Sequence, residues 1–129
     1  MEPPGDLRYD DQGLIAAIIT DHQTGEVRML GWMNAEALRR TVDTGLVHFW
    51  SRSRQKLWQK GETSGNVMHV RGIRTDCDRD VLLVAVEQVG DASCHLGYRT
   101  CFSFELKGDG TFEDVGERVF DPKDVYESS

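Results

Sequence analysis

A chain of 129 residues, 39% hydrophobic and 29% charged, has the length and make-up of one soluble globular domain and is short for two. No apolar run approaches the ~18 residues of a membrane span, and Met1-Glu2-Pro3-Pro4-Gly5-Asp6 has neither the basic start nor the apolar stretch of a secretory signal, so the cytoplasm is the expected location. A net charge of -7 argues against nonspecific nucleic-acid binding, although a local basic cluster can still take a small phosphate.

Taken along the chain, Leu14 to Thr20 is a β-branched apolar run, and the turn Asp21-His22-Gln23-Thr24-Gly25 leads into a second strand from Glu26 to Met33. Asn34 is a capping residue, Ala37, Leu38, Thr41 and Val42 follow helical spacing, and Gly45 supplies a left-handed stop. The spacing therefore predicts one helix there. Strands are predicted over Leu46 to Ser53, Leu57 to Lys60, Val67 to Thr75 and Val81 to Val89. A last pair, Phe102 to Lys107 and Thr111 to Val115, flanks the hairpin turn Gly108-Asp109-Gly110. With no repeat and no linker, the whole of 1–129 is expected to be a single domain. The predicted class is mainly β (α+β): two packed, largely antiparallel sheets or a distorted barrel, with one or two short helices.

The stretch from Trp50 to Asn66 gathers basic residues, hydroxyls and glycines within an otherwise acidic chain. Arg52, Arg54 and Lys60 can hold phosphate oxygens, while Ser51, Ser53, Ser64 and Asn66, with backbone amides near Gly61 and Gly65, add neutral donors. Those residues are the candidate binding site for a phosphorylated small molecule. A solvated basic hairpin is the plainer reading of the same composition.

Three cysteines in a reducing compartment cannot close a disulfide framework. Cys94 and Cys101 are separated by a turn-like segment containing Gly97, and Cys77 lies between Asp76 and Asp78. Structural zinc usually takes four protein ligands, whereas catalytic zinc takes three and keeps a fourth position for water, whose pKa it lowers to about 7. Three thiolates match the second count, while packing as small apolar side chains remains the alternative.

Asp76, Asp78 and Asp80 alternate with Cys77 and Arg79. In an extended backbone the acids share one face and Cys77 takes the other, so hard oxygen ligands for magnesium and a soft ligand for zinc are interleaved. Residues four apart on a strand are ~13 Å apart, so either the chain bends or waters bridge the acids to an ion. An EF-hand loop is a poor fit, because Val81 stands where that loop needs glycine and Leu82 to Val86 reads as a strand.

Together, Met29-Leu30-Gly31-Trp32-Met33-Asn34, Phe49 to Asn66, Asp76 to Asp80 and Cys94 to Phe102 resemble the phosphoribosyl-AMP cyclohydrolase family, over roughly residues 14–104. The resemblance implies a small, strand-rich, cytoplasmic, intertwined homodimer of histidine biosynthesis, in the monofunctional form without a fused pyrophosphohydrolase. It implies hydrolysis of the N1–C6 bond of the adenine ring in 1-(5-phosphoribosyl)-AMP, the third step of that pathway, with zinc and magnesium. Carried over by motif, Cys94 and Cys101 of one chain and Cys77 of its partner would hold zinc, and Asp76, Asp78 and Asp80 would hold magnesium. The Cys77 to Cys94 stretch is one residue longer than the family pattern, within Gly90-Asp91-Ala92-Ser93.

In that reading zinc activates water for attack at C6 and His95, beside a ligand, is the candidate for proton transfer. His22, His48 and His69 receive no role. Two rivals remain: a zinc-stabilised binding module with His95 as fourth ligand, which adjacent Cys94 and His95 could form only under strain, and hydrolysis of a different nucleotide on the same scaffold.

Overall fold

The computed structural model describes residues 5–91 and 96–119. β1 (Ile15–Asp21) and β2 (Val27–Met33) form the expected hairpin, with Ile15 opposite Met33 and Ile18 opposite Leu30. Its turn is built by Asp21, whose Oδ1 accepts the amides of Gln23 and Thr24 at 2.8 and 3.0 Å. Helix α1 (Ala35–Thr44) follows at once: Asn34 Oδ1 accepts the Ala37 amide at 2.8 Å, and Gly45, at φ 75°, ends the helix by donating its amide to the Thr41 carbonyl.

β3 (His48–Ser51) and β4 (Lys56–Gln59) form a second hairpin, and β5 (Met68–Thr75) and β6 (Val81–Gln88) a third. β7 (Phe104–Leu106) and β8 (Phe112–Asp114) close the described chain around the expected Gly108-Asp109-Gly110 turn. The first and third hairpins join edge to edge through β1 and β6 into one four-stranded sheet of order β2-β1-β6-β5. The β1–β6 pair is parallel, which the long connection through α1, β3 and β4 permits. Among the described residues the chain is thus mainly β, with one α-helix and no closed barrel.

One face of the large sheet carries Ile15, Ala17, Ile19, Met29, Leu82, Val84 and Val86, buried under Ala37 and Leu38 of α1 and Val47 and Phe49 at β3. The approach of β3 explains Gly31. A Cβ there would lie 2.4 Å from the Phe49 ring, so the side chain is omitted to let the aromatic ring onto β2. His48 is buried among these elements, its Nδ1 on the Leu46 carbonyl at 2.8 Å.

Arg28 is the exception to the apolar inner face: it is 1% exposed, with Nη2 3.1 Å from Asp21 Oδ2 and Nη1 3.5 Å from Glu26 Oε1. Burial alone would raise the Asp21 carboxyl, but the Thr24 amide, the Arg28 guanidinium and the Gln23 amide bring it from 3.8 down to about 2. A carboxyl depressed on folding stabilises above its unfolded pKa and loses that contribution as pH falls towards the folded value. After solvent screening this amounts to about 1–2 kcal/mol. Wild-type stability should therefore fall more steeply than that of Asp21→Asn between about pH 4 and 2, as read from urea midpoints; parallel curves would contradict the assignment.

Candidate metal and phosphate site

The β3–β4 hairpin and the loop after it divide the candidate phosphate residues. Arg54, Lys60 and Ser64 line a cleft of about 480 Å³, together with Met29, Trp58, Gln59, Gly61, Glu62, Thr63 and Cys101. Trp58 is held in its wall by the Phe49 ring, centroids 5.2 Å apart, and the Lys60 ammonium lies 5.8 Å from the Trp58 centroid. Arg52 goes elsewhere: its guanidinium stacks 4.6 Å over Trp32 and lines a second cleft of about 510 Å³ with Gln12, Leu14, Asn34, Trp50 and Gln55.

Ser51, Ser53 and Asn66 shape the loops. Ser51 Oγ accepts the Arg54 amide at 3.2 Å and lies 3.4 Å from Ser53 Oγ, which fixes the turn that points Arg54 into the first cleft. Ser64 Oγ likewise accepts the Asn66 amide at 3.2 Å, and the Asn66 side chain packs on Gly90. The loop itself depends on Gly61, at φ 86°, where a Cβ would sit 2.4 Å from the Asn66–Val67 backbone.

Cys101 enters the first cleft from a segment laid along β2. Its amide donates to the Arg28 carbonyl at 2.7 Å, and Thr100 Oγ1 donates to the carbonyls of Val27 and Arg28 at 2.7 and 3.0 Å. Ser103, 1% exposed, ties the far side by donating Oγ to the Thr100 carbonyl at 2.6 Å. Cys94 and His95 lie outside the described residues.

The acidic segment is a bend, one of the two alternatives its spacing left open, and not the extended ladder of alternating faces. It is the loop joining β5 to β6: the Arg79 amide donates to the Asp76 carbonyl at 3.1 Å, and Arg79 takes a left-handed φ of 62°. The chain therefore folds back, and oxygens of Asp76, Asp78 and Asp80 all come within 4.8 Å of one another. Cys77 is not turned away from the acids either, since its Sγ donates to Asp78 Oδ1 at 2.9 Å.

The electrostatics of this turn suit a cation. The Asp76 side chain, its charge neighbours and desolvation raise the Asp80 carboxyl; Asp76 is lowered despite desolvation by the Asp80 amide and carboxyl. The close approach of like charges is what a hard divalent ion would relieve, and three carboxylates on one turn are the kind of oxygen donor set that suits magnesium. The Cys77 thiol is raised by its bond to Asp78, by desolvation and by the Asp76 charge, so it is held neutral until a thiophilic cation displaces its proton.

Arg79 occupies a left-handed position without being glycine, at a cost of about 1–2 kcal/mol, offset in part by an exposed ion pair to Asp6 at 3.1 Å. Arg79→Gly should leave stability equal or raise it by up to about 1 kcal/mol in thermal unfolding, and a loss above that size would contradict the strain argument.

Cys77 and Cys101 stand at opposite ends of the large sheet. Cys101 is bonded at Arg28 on edge strand β2, next to Met29, which pairs with Ile19, whereas Cys77 precedes Val81, which pairs with Ala16 two strands away. Strand rise and spacing put the two cysteines roughly 15 Å or more apart, against the ~4 Å between sulfurs sharing one zinc. Within one chain they cannot ligate the same ion.

Sequence reasoning missed Met29, Trp58 and Thr63 as cleft walls and Arg28 as the anchor of the Cys101 segment. The available signal for Arg28 was a charged residue inside the apolar run from Val27 to Met33, with Asp21 and Glu26 close by.

A family model described as phosphoribosyl-AMP cyclohydrolase matches residues 29–103, which span the cleft, the acidic turn and all three cysteines. The chain is also similar to the phosphoribosyl-AMP cyclohydrolases of Methanosarcina mazei, 57% identical over 95% of this chain and 97% of the relative, and Methanosarcina acetivorans, 58% identical over 93% and 95%. A third, from Pelotomaculum thermopropionicum, is 54% identical over 93% of this chain and 92% of the relative.

Proposed function

Because the chain belongs to the phosphoribosyl-AMP cyclohydrolase family, hydrolases of the histidine pathway, we propose that it opens the adenine ring of 1-(5-phosphoribosyl)-AMP with zinc and magnesium as cofactors. Water adds at C6, the N1–C6 bond breaks, C6 becomes the carboxamide carbon, and N1 leaves as the formimino nitrogen carrying the phosphoribosyl group. The observation that carries this reading is the cleft in which the Cys101 thiol meets Arg54, Lys60 and Ser64, a soft metal ligand beside donors for phosphate.

Arg54 and Lys60 bind phosphate oxygens, with Ser64 as a neutral donor, and Trp58 supplies an apolar wall against which the purine can lie. Arg52, stacked on Trp32 in the neighbouring cleft, serves the second phosphate, which lies at the other end of the substrate. Zinc held by Cys77, Cys94 and Cys101 would supply a water acidic enough to add at the ring carbon near neutral pH. Magnesium on Asp76, Asp78 and Asp80 would offset phosphate charge. His95 delivers a proton to the departing N1.

The separation of Cys77 from Cys101 supports a homodimer in which each zinc takes Cys77 from the partner chain. Apolar surface of the right kind is exposed: Leu30 and Leu83 lie either side of half-buried Ile18 in one row across the large sheet, and Phe104, Leu106 and Phe112 lie 50%, 61% and 67% exposed on the β7–β8 hairpin. No helix among the described residues is long and apolar enough to cross a membrane, and the cytoplasm is the proposed location.

The test is the absorbance change of ring opening with phosphoribosyl-AMP and purified, metal-replete protein. Turnover lost to a chelator and restored by zinc and magnesium is expected. No turnover with both metals restored would sink the assignment, and faster turnover of another nucleotide would replace the substrate.

A further inference from the structure

We infer that Arg28 is a positioning residue for the zinc ligand Cys101, a role that rests on the zinc reading above. At the register shift between Ile19 and Thr20, Met29 pairs with Ile19 and Val27 with Thr20, so Arg28 has no register partner on β1. Its carbonyl is thereby turned to the segment carrying the cysteine. It accepts the Cys101 amide at 2.7 Å and the Thr100 hydroxyl at 3.0 Å.

The side chain of the same residue grips that segment a second time. Nη1 donates to the Arg99 carbonyl at 2.8 Å while Asp21 and Glu26 hold the guanidinium, and Glu26 Oε1 also accepts Arg99 Nε at 2.9 Å. Residues 99 to 101 are therefore fixed from both the main chain and the side chain of one residue. A guanidinium can serve three acceptors in one plane, and the ammonium of lysine cannot reach all of them from a single nitrogen. A buried charge is costly to keep where an apolar side chain would pack as well, so its presence beneath a metal-binding segment points to orientation rather than to core stability.

The experiment uses the full-length chain with Arg28→Lys and, as a milder change on the exposed side of the same contact, Thr100→Val. Two readouts are taken. The first is metal-independent: the rate at which iodoacetamide alkylates Cys101 in a metal-free Cys77→Ser, Cys94→Ser background. The second is the thiolate-to-metal absorption of the cobalt-substituted dimer, together with zinc affinity by chelator competition.

Arg28→Lys should keep the far-UV circular dichroism of the wild type, raise Cys101 alkylation about tenfold, alter the cobalt band and weaken zinc binding by about 10- to 100-fold. Thr100→Val should move each readout the same way by less, and it decides the matter if Arg28→Lys does not fold. Folded variants with wild-type alkylation, cobalt spectrum and zinc affinity would overturn the role of Arg28. If the wild type shows no thiolate–cobalt band, the zinc reading fails instead, and with it the role of Arg28 towards a metal ligand; the alkylation rates then show whether the contact itself holds Cys101.

Discussion

A Cys77→Ala chain mixed with a Cys101→Ala chain recovers about a quarter of wild-type activity, although each alone is reduced by a thousandfold or more, on the order expected when a catalytic zinc is lost. The expectation follows from sheet topology. Cys77 sits on the loop before Val81, at the end of the large sheet where β1 begins, while Cys101 is bonded to Arg28 near the end where β1 finishes. No side-chain rotation closes a gap of roughly 15 Å, so a zinc needing both thiols draws them from two chains. In a mixed dimer one site keeps the full set and the other loses two ligands. Random pairing makes about half the dimers mixed, hence the quarter. Mixing confirmed by native mass spectrometry with no recovery would contradict a shared site.

The second large effect is at the acidic turn. With magnesium on the acidic turn as proposed, Asp78→Asn should lower magnesium-dependent activity by about 100-fold and abolish the rise in melting temperature expected of the wild type on adding magnesium. In the absence of metal the same variant should be more stable than the wild type, because Asp76, Asp78 and Asp80 bring carboxylate oxygens within 4.8 Å of one another and one of three repelling charges is removed. Loss of a carboxylate that accepts from Cys77 also lets that thiol titrate at lower pH, so its reaction with a disulfide reagent at neutral pH should quicken. Full magnesium-dependent activity together with an unchanged metal-free melting temperature would contradict the turn as a cation site.

The elements were legible where the cause is local. β-branched runs marked the strands, and Asn34 and Gly45 marked the two ends of α1, because a cap side chain and a left-handed glycine act on the residues next to them. The parallel pairing of β1 with β6 was not legible, since it depends on which edges of two finished hairpins dock. The acidic segment misled for a related reason. Alternation implies opposite faces only in an extended chain, and Arg79 at a positive φ turns the chain back on itself.

The site divides in the same way. Composition pointed to Arg52 to Ser64 as a stretch suited to a phosphorylated ligand, but Arg52 and Arg54 lie in the same β3–β4 turn and enter different clefts, which composition cannot separate. The pairing of Arg28 with Cys101 spans 73 positions of sequence, and no spacing rule reaches that far. The cysteines themselves had only the resemblance to unite them. The separation of Cys77 from Cys101 within one chain agrees with the proposed sharing of the site between two chains.

The most direct test of the account is the position of the metal. Anomalous diffraction at the zinc edge from crystals of the active, zinc-loaded protein should give one peak per chain, with Cys94 and Cys101 of one chain and Cys77 of the partner at about 2.3 Å. A zinc held by Cys77 through residues of its own chain, or no zinc at Cys101 in protein that turns over, would contradict it.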